Sequence, residues 1–104
     1  MQLKEKLKDI KGGKLSAVEN IKNFLNKIEK ENKKLNAILH INKNALKEAG
    51  LVDKKIKQGK AGKLAGLAIA VKSNINVKGL TANCASKTLE NYKSTYDASV
   101  IEKI

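Results

Sequence analysis

Helices packed on a few strands, an α/β arrangement, is the architecture this 104-residue sequence predicts. Three observations point there. Through residue 63 apolar side chains recur at helical spacing, bounded by a capping signature and by glycines. From Leu64 to Val71 the chain is apolar without a charged or amide side chain, as a strand buried on both faces would be. Phe24, Tyr92 and Tyr96 are the only aromatics, 3% of the chain, so a core must be built from Leu, Ile, Val and Ala. That suits helices on a small sheet better than an aromatic-rich barrel.

Taken in order, Leu3, Leu7 and Ile10 fall on one face of a short helix that Gly12-Gly13 should end. Ser16-Ala17-Val18-Glu19 reads as a capping box, in which the Ser16 hydroxyl accepts a backbone N–H while Glu19 reaches back. The helix it opens carries Val18, Ile21, Leu25 and Ile28 as an inward stripe with Phe24 beside it, and Lys22, Asn26, Lys27 and Lys30 on the other faces. Leu35–Ile41 reads as a short strand. Asn42 or Asn44 can cap a third helix, with Leu46, Ala49, Val52 and Ile56 inward and its end at Gly59. The glycine- and lysine-rich stretch Gln58–Leu64 lacks the spacing and the Ser or Thr of a P-loop and is read as a solvated connection. Then comes the apolar run as a core strand, and a final helix capped by Asp97.

The net charge is +12, from 22 lysines against 10 acids, with no arginine. Such an excess favours polyanions, because neutralised phosphates release condensed counterions. The missing guanidinium argues against base-specific readout, and lysine enrichment is also a feature of heat-adapted surfaces. A single cysteine, Cys84, excludes an internal disulfide and suggests a reducing compartment. No stretch approaches the roughly 18 apolar residues of a membrane span, and no apolar signal core follows the N-terminus. A cytoplasmic protein is the expectation.

The residue that carries chemistry is Lys72, at the end of the apolar run. A lysine emerging from a buried strand pays for its charge in desolvation unless its pKa falls or hydrogen bonds compensate. Either outcome suits a base for a serine nucleophile. Ser73, its neighbour, would point to the opposite face of a strand and is discounted as that nucleophile. Ser86 is read as a cap for a short helix through Leu89. Cys84 and His40 have no supporting motif as a nucleophile–base pair, and no His, Cys or carboxylate set has metal-ligand spacing.

The run Gly66-Leu67-Ala68-Ile69-Ala70-Val71-Lys72-Ser73-Asn74-Ile75 resembles the Gly-Ile-Pro-Ile-Ala-Val-Lys-Asp-Asn-Ile segment of the amidase signature family. The similarity continues through Lys78-Gly79-Leu80-Thr81, Cys84–Tyr92 and Tyr96–Lys103. There, and at Leu15–Val18 and Lys34–Ile38, it looks specifically like the branch that forms the amidase chain of tRNA-dependent amidotransferases. The resemblance implies a serine, cis-serine and lysine triad with Lys72 as the base. Both serines are expected beyond residue 104, since no Gly-Gly-Ser-Ser-Gly-Gly run is present. Residues 1–104 would then be the truncated N-terminal part of an amidase domain, mostly helical over 1–63, with the core strand and last helix over 64–104. Ala68 stands where the family has proline, and Ser73 where it has aspartate, which removes a charge beside Lys72.

The resemblance further implies glutamine as substrate, amidotransferase subunits B and C as partners, and charged tRNA met through the complex. It implies no cofactor in this chain, with ATP and Mg used by a partner subunit. The isolated chain is expected to be inactive. A general amidase acting on a small amide, a basic nucleic-acid-binding module and a short non-catalytic relative are the competing readings.

Overall fold

The computed structural model describes residues 2–84 and 86–104. Three α-helices lead the chain, α1 over Leu3–Lys11, α2 over Ala17–Leu35 and α3 over Ala45–Lys57. A 3-10 turn at Lys87–Leu89 and a short α4 at Ser99–Lys103 follow. Two compact units divide the chain between Ala68 and Ile69.

In the first unit, each helix stops or starts where its local chemistry dictates. Gly12 is the C-cap of α1 and Gly13 takes a φ of +82°, so Lys14 N–H reaches Asp9 O at 2.9 Å and closes the end of the helix. The capping box forms: Glu19 N–H donates to Ser16 Oγ at 3.0 Å and Ser16 N–H to Glu19 Oε2 at 3.5 Å. At the end of α3, Gly59 has a φ of +70°, and Lys60 N–H donates to Lys55 O at 2.9 Å. Asn44 occupies the N-cap position of α3 without a side-chain bond. Asn42 acts there instead, accepting from Asn44 N–H at 3.0 Å and donating to Glu48 at 2.9 Å.

The inward stripes hold the unit together. Val18, Ile21, Leu25 and Ile28 are half-buried, and Lys22, Asn26, Lys27 and Lys30 are exposed. The face of α2 packs on α3, where Ala49 is buried and Val52 and Ile56 are half-buried. Ile10 of α1 is only 3% exposed, and Lys6 Nζ lies 4.5 Å from the centre of the Phe24 ring, a cation–π contact from α1 to α2. Leu3 and Leu46, at the first turns of their helices, stay exposed.

Neither expected strand forms among the described residues, so helices packed on strands is corrected to helices joined by irregular chain. In the first case Asn32 intervenes. Its amide donates to Ile38 O at 2.8 Å and accepts from Ile38 N–H at 2.9 Å, meeting both backbone groups that a strand would present to a neighbour. Asn36, left-handed at φ 50°, turns the chain between them. In the second case the run begins as turns, with Ala65 N–H on Gly62 O, Leu67 N–H on Leu64 O and Gly66 at φ +89°. Ile69 and Val71 are 49% and 38% exposed, and among the described residues no neighbouring segment satisfies their backbone groups. A strand is stable only with ladder partners, however apolar its sequence.

In the second unit, residues 76–82 run antiparallel to residues 92–98 without forming a named strand. Gly79 N–H donates to Ser94 O at 2.8 Å, Ser94 N–H to Leu80 O at 3.0 Å and Ala82 N–H to Tyr92 O at 3.0 Å, around an isolated bridge between Thr81 and Lys93. Ala82, Asn83 and Ser94 are its buried residues. Asp97 does not cap the last helix. Ala98 is its N-cap residue, and the Asp97 carboxylate instead accepts Lys78 N–H at 2.7 Å, across the pairing of the two segments.

Candidate active site

Lys72 opens a tight turn at the start of the second unit: its carbonyl accepts from Ile75 N–H at 3.0 Å. The next carbonyl, of Ser73, accepts from Cys84 N–H at 3.2 Å, which ties the lysine segment to the turn before the 3-10 helix. Cys84 holds that amide in place with a left-handed backbone, φ 51°, unusual for a residue with a side chain. Two turns therefore hold the carbonyls of Lys72 and Ser73.

The Lys72 side chain is exposed. The residues of this chain do not supply the apolar surroundings that the run Leu64–Val71 suggested, since that run is itself largely open to solvent. What the site provides is a lysine whose backbone is held by a turn, at the end of an apolar segment without ladder partners among the described residues. Ser73 is half-buried.

Hydrogen bonds farther along the pairing hold the turn after Lys72 against the end of the unit. Asn76 donates through Nδ2 to the Tyr96 hydroxyl at 2.8 Å and accepts at its carbonyl from Ala98 N–H at 2.8 Å. The Ser94 hydroxyl donates to Tyr96 O at 2.7 Å. Sequence reasoning does not single out Asn76, Ser94 or Tyr96 as site residues. Their only signal is that Tyr96 lies inside the family resemblance and the other two lie within a few residues of it. Ser86 caps the 3-10 turn as expected, accepting from Thr88 N–H at 3.3 Å, while Ala85 of the same run lies outside the described residues.

The remaining candidate features involve other residues. A groove of about 150 Å³ at the C-terminal end of α2 is lined by Phe24, Ile28, Leu35 and Ile38 among others, all of the first unit. Cys84 carries a free, exposed thiol. His40 lies in the irregular segment between α2 and α3. Among the described residues no group of three or more His, Cys, Asp or Glu could hold a metal ion, and no helix is long and apolar enough to cross a membrane.

Comparison with known proteins sets this geometry in a family. A profile of the Amidase family matches residues 19–104. The glutamyl-tRNA(Gln) amidotransferase A subunit of Methanobrevibacter smithii is 45% identical over 106 aligned residues, covering 100% of this chain and 23% of the relative. The protein of the same name from Methanothermobacter thermautotrophicus is 48% identical with the same coverage. Its counterpart in Clostridium acetobutylicum is 46% identical over 94% of this chain and 21% of its own. The chain thus spans under a quarter of the length of the curated relatives it matches.

Proposed function

The chain belongs to the amidase family, and from that membership we propose that it is part of the glutaminase subunit of a tRNA-dependent amidotransferase. The observation that carries the reading is the run Gly66–Ile75 with Lys72 at the family's lysine position, inside a similarity that covers the whole chain. In the reaction, glutamine would be hydrolysed to ammonia, and partner subunits B and C would use that ammonia to amidate glutamate or aspartate on tRNA. ATP and Mg would serve the partner subunit, and the setting would be the cytoplasm.

Lys72 is the base in this reading. In that role its amine would take a proton from the cis-serine, which takes one from the nucleophilic serine as that oxygen attacks the glutamine side-chain carbonyl. The C–N bond breaks, ammonia leaves with the returned proton, and water then releases glutamate from the acyl-enzyme. Both serines would come from chain following residue 104. The same remaining chain would give Leu64–Val71 its sheet partners, converting the exposed Ile69 and Val71 into core and placing the Lys72 amine in the apolar setting its role requires.

The test is glutamine hydrolysis by the full-length protein with Lys72→Ala. A loss on the order of 10²–10⁴-fold is expected from removing a general base. Activity within about tenfold of the parent would sink the role of Lys72, being below that range. A 104-residue chain that hydrolyses glutamine in a Lys72-dependent way would overturn the requirement for the two serines. A general amidase would share the Lys72 dependence but would not co-purify with subunits B and C.

A further inference from the structure

With 22 lysines and ten acids, at least twelve lysines have no acid to pair with, and the hydrogen bonds take further acids out of reach. Of the ten acids, four are held by groups other than lysine. Glu19 closes the capping box, Glu48 accepts from Asn42, Asp53 accepts from Ala17 and Val18 N–H, and Asp97 accepts from Lys78 N–H. On α2 the consequence is directional. At about 100° per residue, Lys22, Lys33, Lys30, Lys34 and Lys27 fall within one arc of about 140° opposite the stripe that packs on α3.

All five are exposed, as are Asn23 and Asn26 between them. The one acid inside the arc is Glu19, at its N-terminal end and engaged in the cap, while Glu29 and Glu31 stand at the two margins. None of the five lysines has an ion-pair partner among the described residues. From Lys22 to Lys34 the row extends about 18 Å along the helix at about 1.5 Å per residue. At about 3.4 Å per charge along one strand, that length faces on the order of five phosphates.

We propose that the solvent face of α2 is a docking surface for the phosphate backbone of structured RNA. Charge complementarity selects the occupant: a helix face of ammonium groups with no guanidinium among them neutralises phosphates as point charges and does not read bases. The surface orients an RNA without choosing its sequence. This goes beyond the glutamine chemistry and stands or falls apart from Lys72, which lies in the other unit.

The experiment titrates an unmodified tRNA transcript into the full-length protein at several potassium chloride concentrations. It compares the parent with the triple variant Lys22→Gln, Lys30→Gln, Lys33→Gln and with a charge-matched control, Lys60→Gln, Lys63→Gln, Lys103→Gln. The plot of log affinity against log salt should lose about 0.9 in slope for each phosphate contact removed, or about 3 for the α2 triple. The control should lose under about 1. Replacing the same three α2 lysines by arginine should retain binding, which separates charge from damage to the helix. Equal losses in the two glutamine triples would overturn the proposal, because the attraction would then belong to net charge alone. So would the absence of salt-dependent RNA binding, or tighter α2-dependent binding to phosphatidylserine vesicles or to a polyglutamate peptide than to RNA.

Discussion

The Asp53 carboxylate of α3 accepts the backbone N–H of Ala17, the first residue of α2, at 2.7 Å. Its second oxygen takes the Val18 N–H at 3.2 Å. A helix begins with N–H groups that have no partner in the helix, and its N-terminus carries a partial positive charge, so a carboxylate there satisfies both needs. Together with Ser16 and Glu19, Asp53 makes the start of α2 a densely bonded point of the first unit, and it joins two helices through a single side chain whose partners lie 35 and 36 residues away in sequence.

Asp53→Ala should therefore destabilise the fold by about 1–3 kcal/mol, the range for a charge-assisted hydrogen bond lost at a partly buried position. Asp53→Asn keeps one acceptor and should cost about half as much. Urea unfolding followed by circular dichroism checks both. A midpoint for Asp53→Ala equal to that of the parent would show that solvent meets the Ala17 and Val18 amides just as well.

Local signals and tertiary ones are not equally legible in the sequence. The capping box at Ser16, the glycines closing α1 and α3, and the stripe from Val18 to Ile28 depend on neighbours within a few residues, and each is found in the structure. Asp53 could not be read because its partners are 35 and 36 residues away. The apolar run Leu64–Val71 misleads for a related reason: composition reports what a segment could bury, while a strand also needs a partner that composition does not reveal. Asn32 overrides the other strand by supplying, from one side chain, the two bonds that a ladder would have provided at Ile38. At the candidate site, Lys72 is identifiable from its motif, whereas the turn contributed by Cys84 is not, since the bond to Ser73 is made by its backbone.

Gly66 and Asn20 form a second long-range joint. The Asn20 side chain, 2% exposed, donates to the Gly66 carbonyl at 2.9 Å. A Cβ on Gly66 would lie 2.8 Å from Ile10 Cγ2, in a backbone conformation at φ +89° that side chains rarely adopt. Gly66→Ala should cost at least about 2 kcal/mol, combining about 1–2 for the left-handed backbone with about 1 for overpacking Ile10. Asn20→Ala should cost about 1–3 kcal/mol by leaving the Gly66 carbonyl without its donor. Denaturation of the two variants and of the pair together should show less than additive losses, because the backbone shift that relieves the Ile10 clash also displaces the carbonyl that Asn20 bonds. Strict additivity would mean that Asn20 and Gly66 contribute independently.

Cys84 separates backbone strain from side-chain contacts. At a φ of 51° a side chain costs on the order of 1–2 kcal/mol, and glycine removes that cost but makes the unfolded chain more flexible by about 0.4–1 kcal/mol. Cys84→Gly should thus be neutral to stabilising by about 1 kcal/mol. Cys84→Val, with a branched side chain in the same conformation, should be destabilising. Melting temperatures ordered Gly, Cys, Val from high to low would agree. Valine matching the parent would show that the turn does not hold this backbone conformation in solution.

Lys72 offers the sharpest separation of stability from activity. Its side chain is exposed and has no ion-pair partner among the described residues, so within this chain Lys72→Ala and Lys72→Met remove no packing and no bond that the fold depends on. Unfolding free energies of the chain should stay within about 0.5 kcal/mol of the parent, as for other surface substitutions. If Lys72 is the base of the proposed glutaminase, the same substitutions in the full-length protein should remove glutamine hydrolysis. Lys72→Arg should fail as well, because a guanidinium stays protonated and cannot accept the serine proton. If arginine restored turnover, the residue would be acting through its charge, and a different group would have to serve as the base.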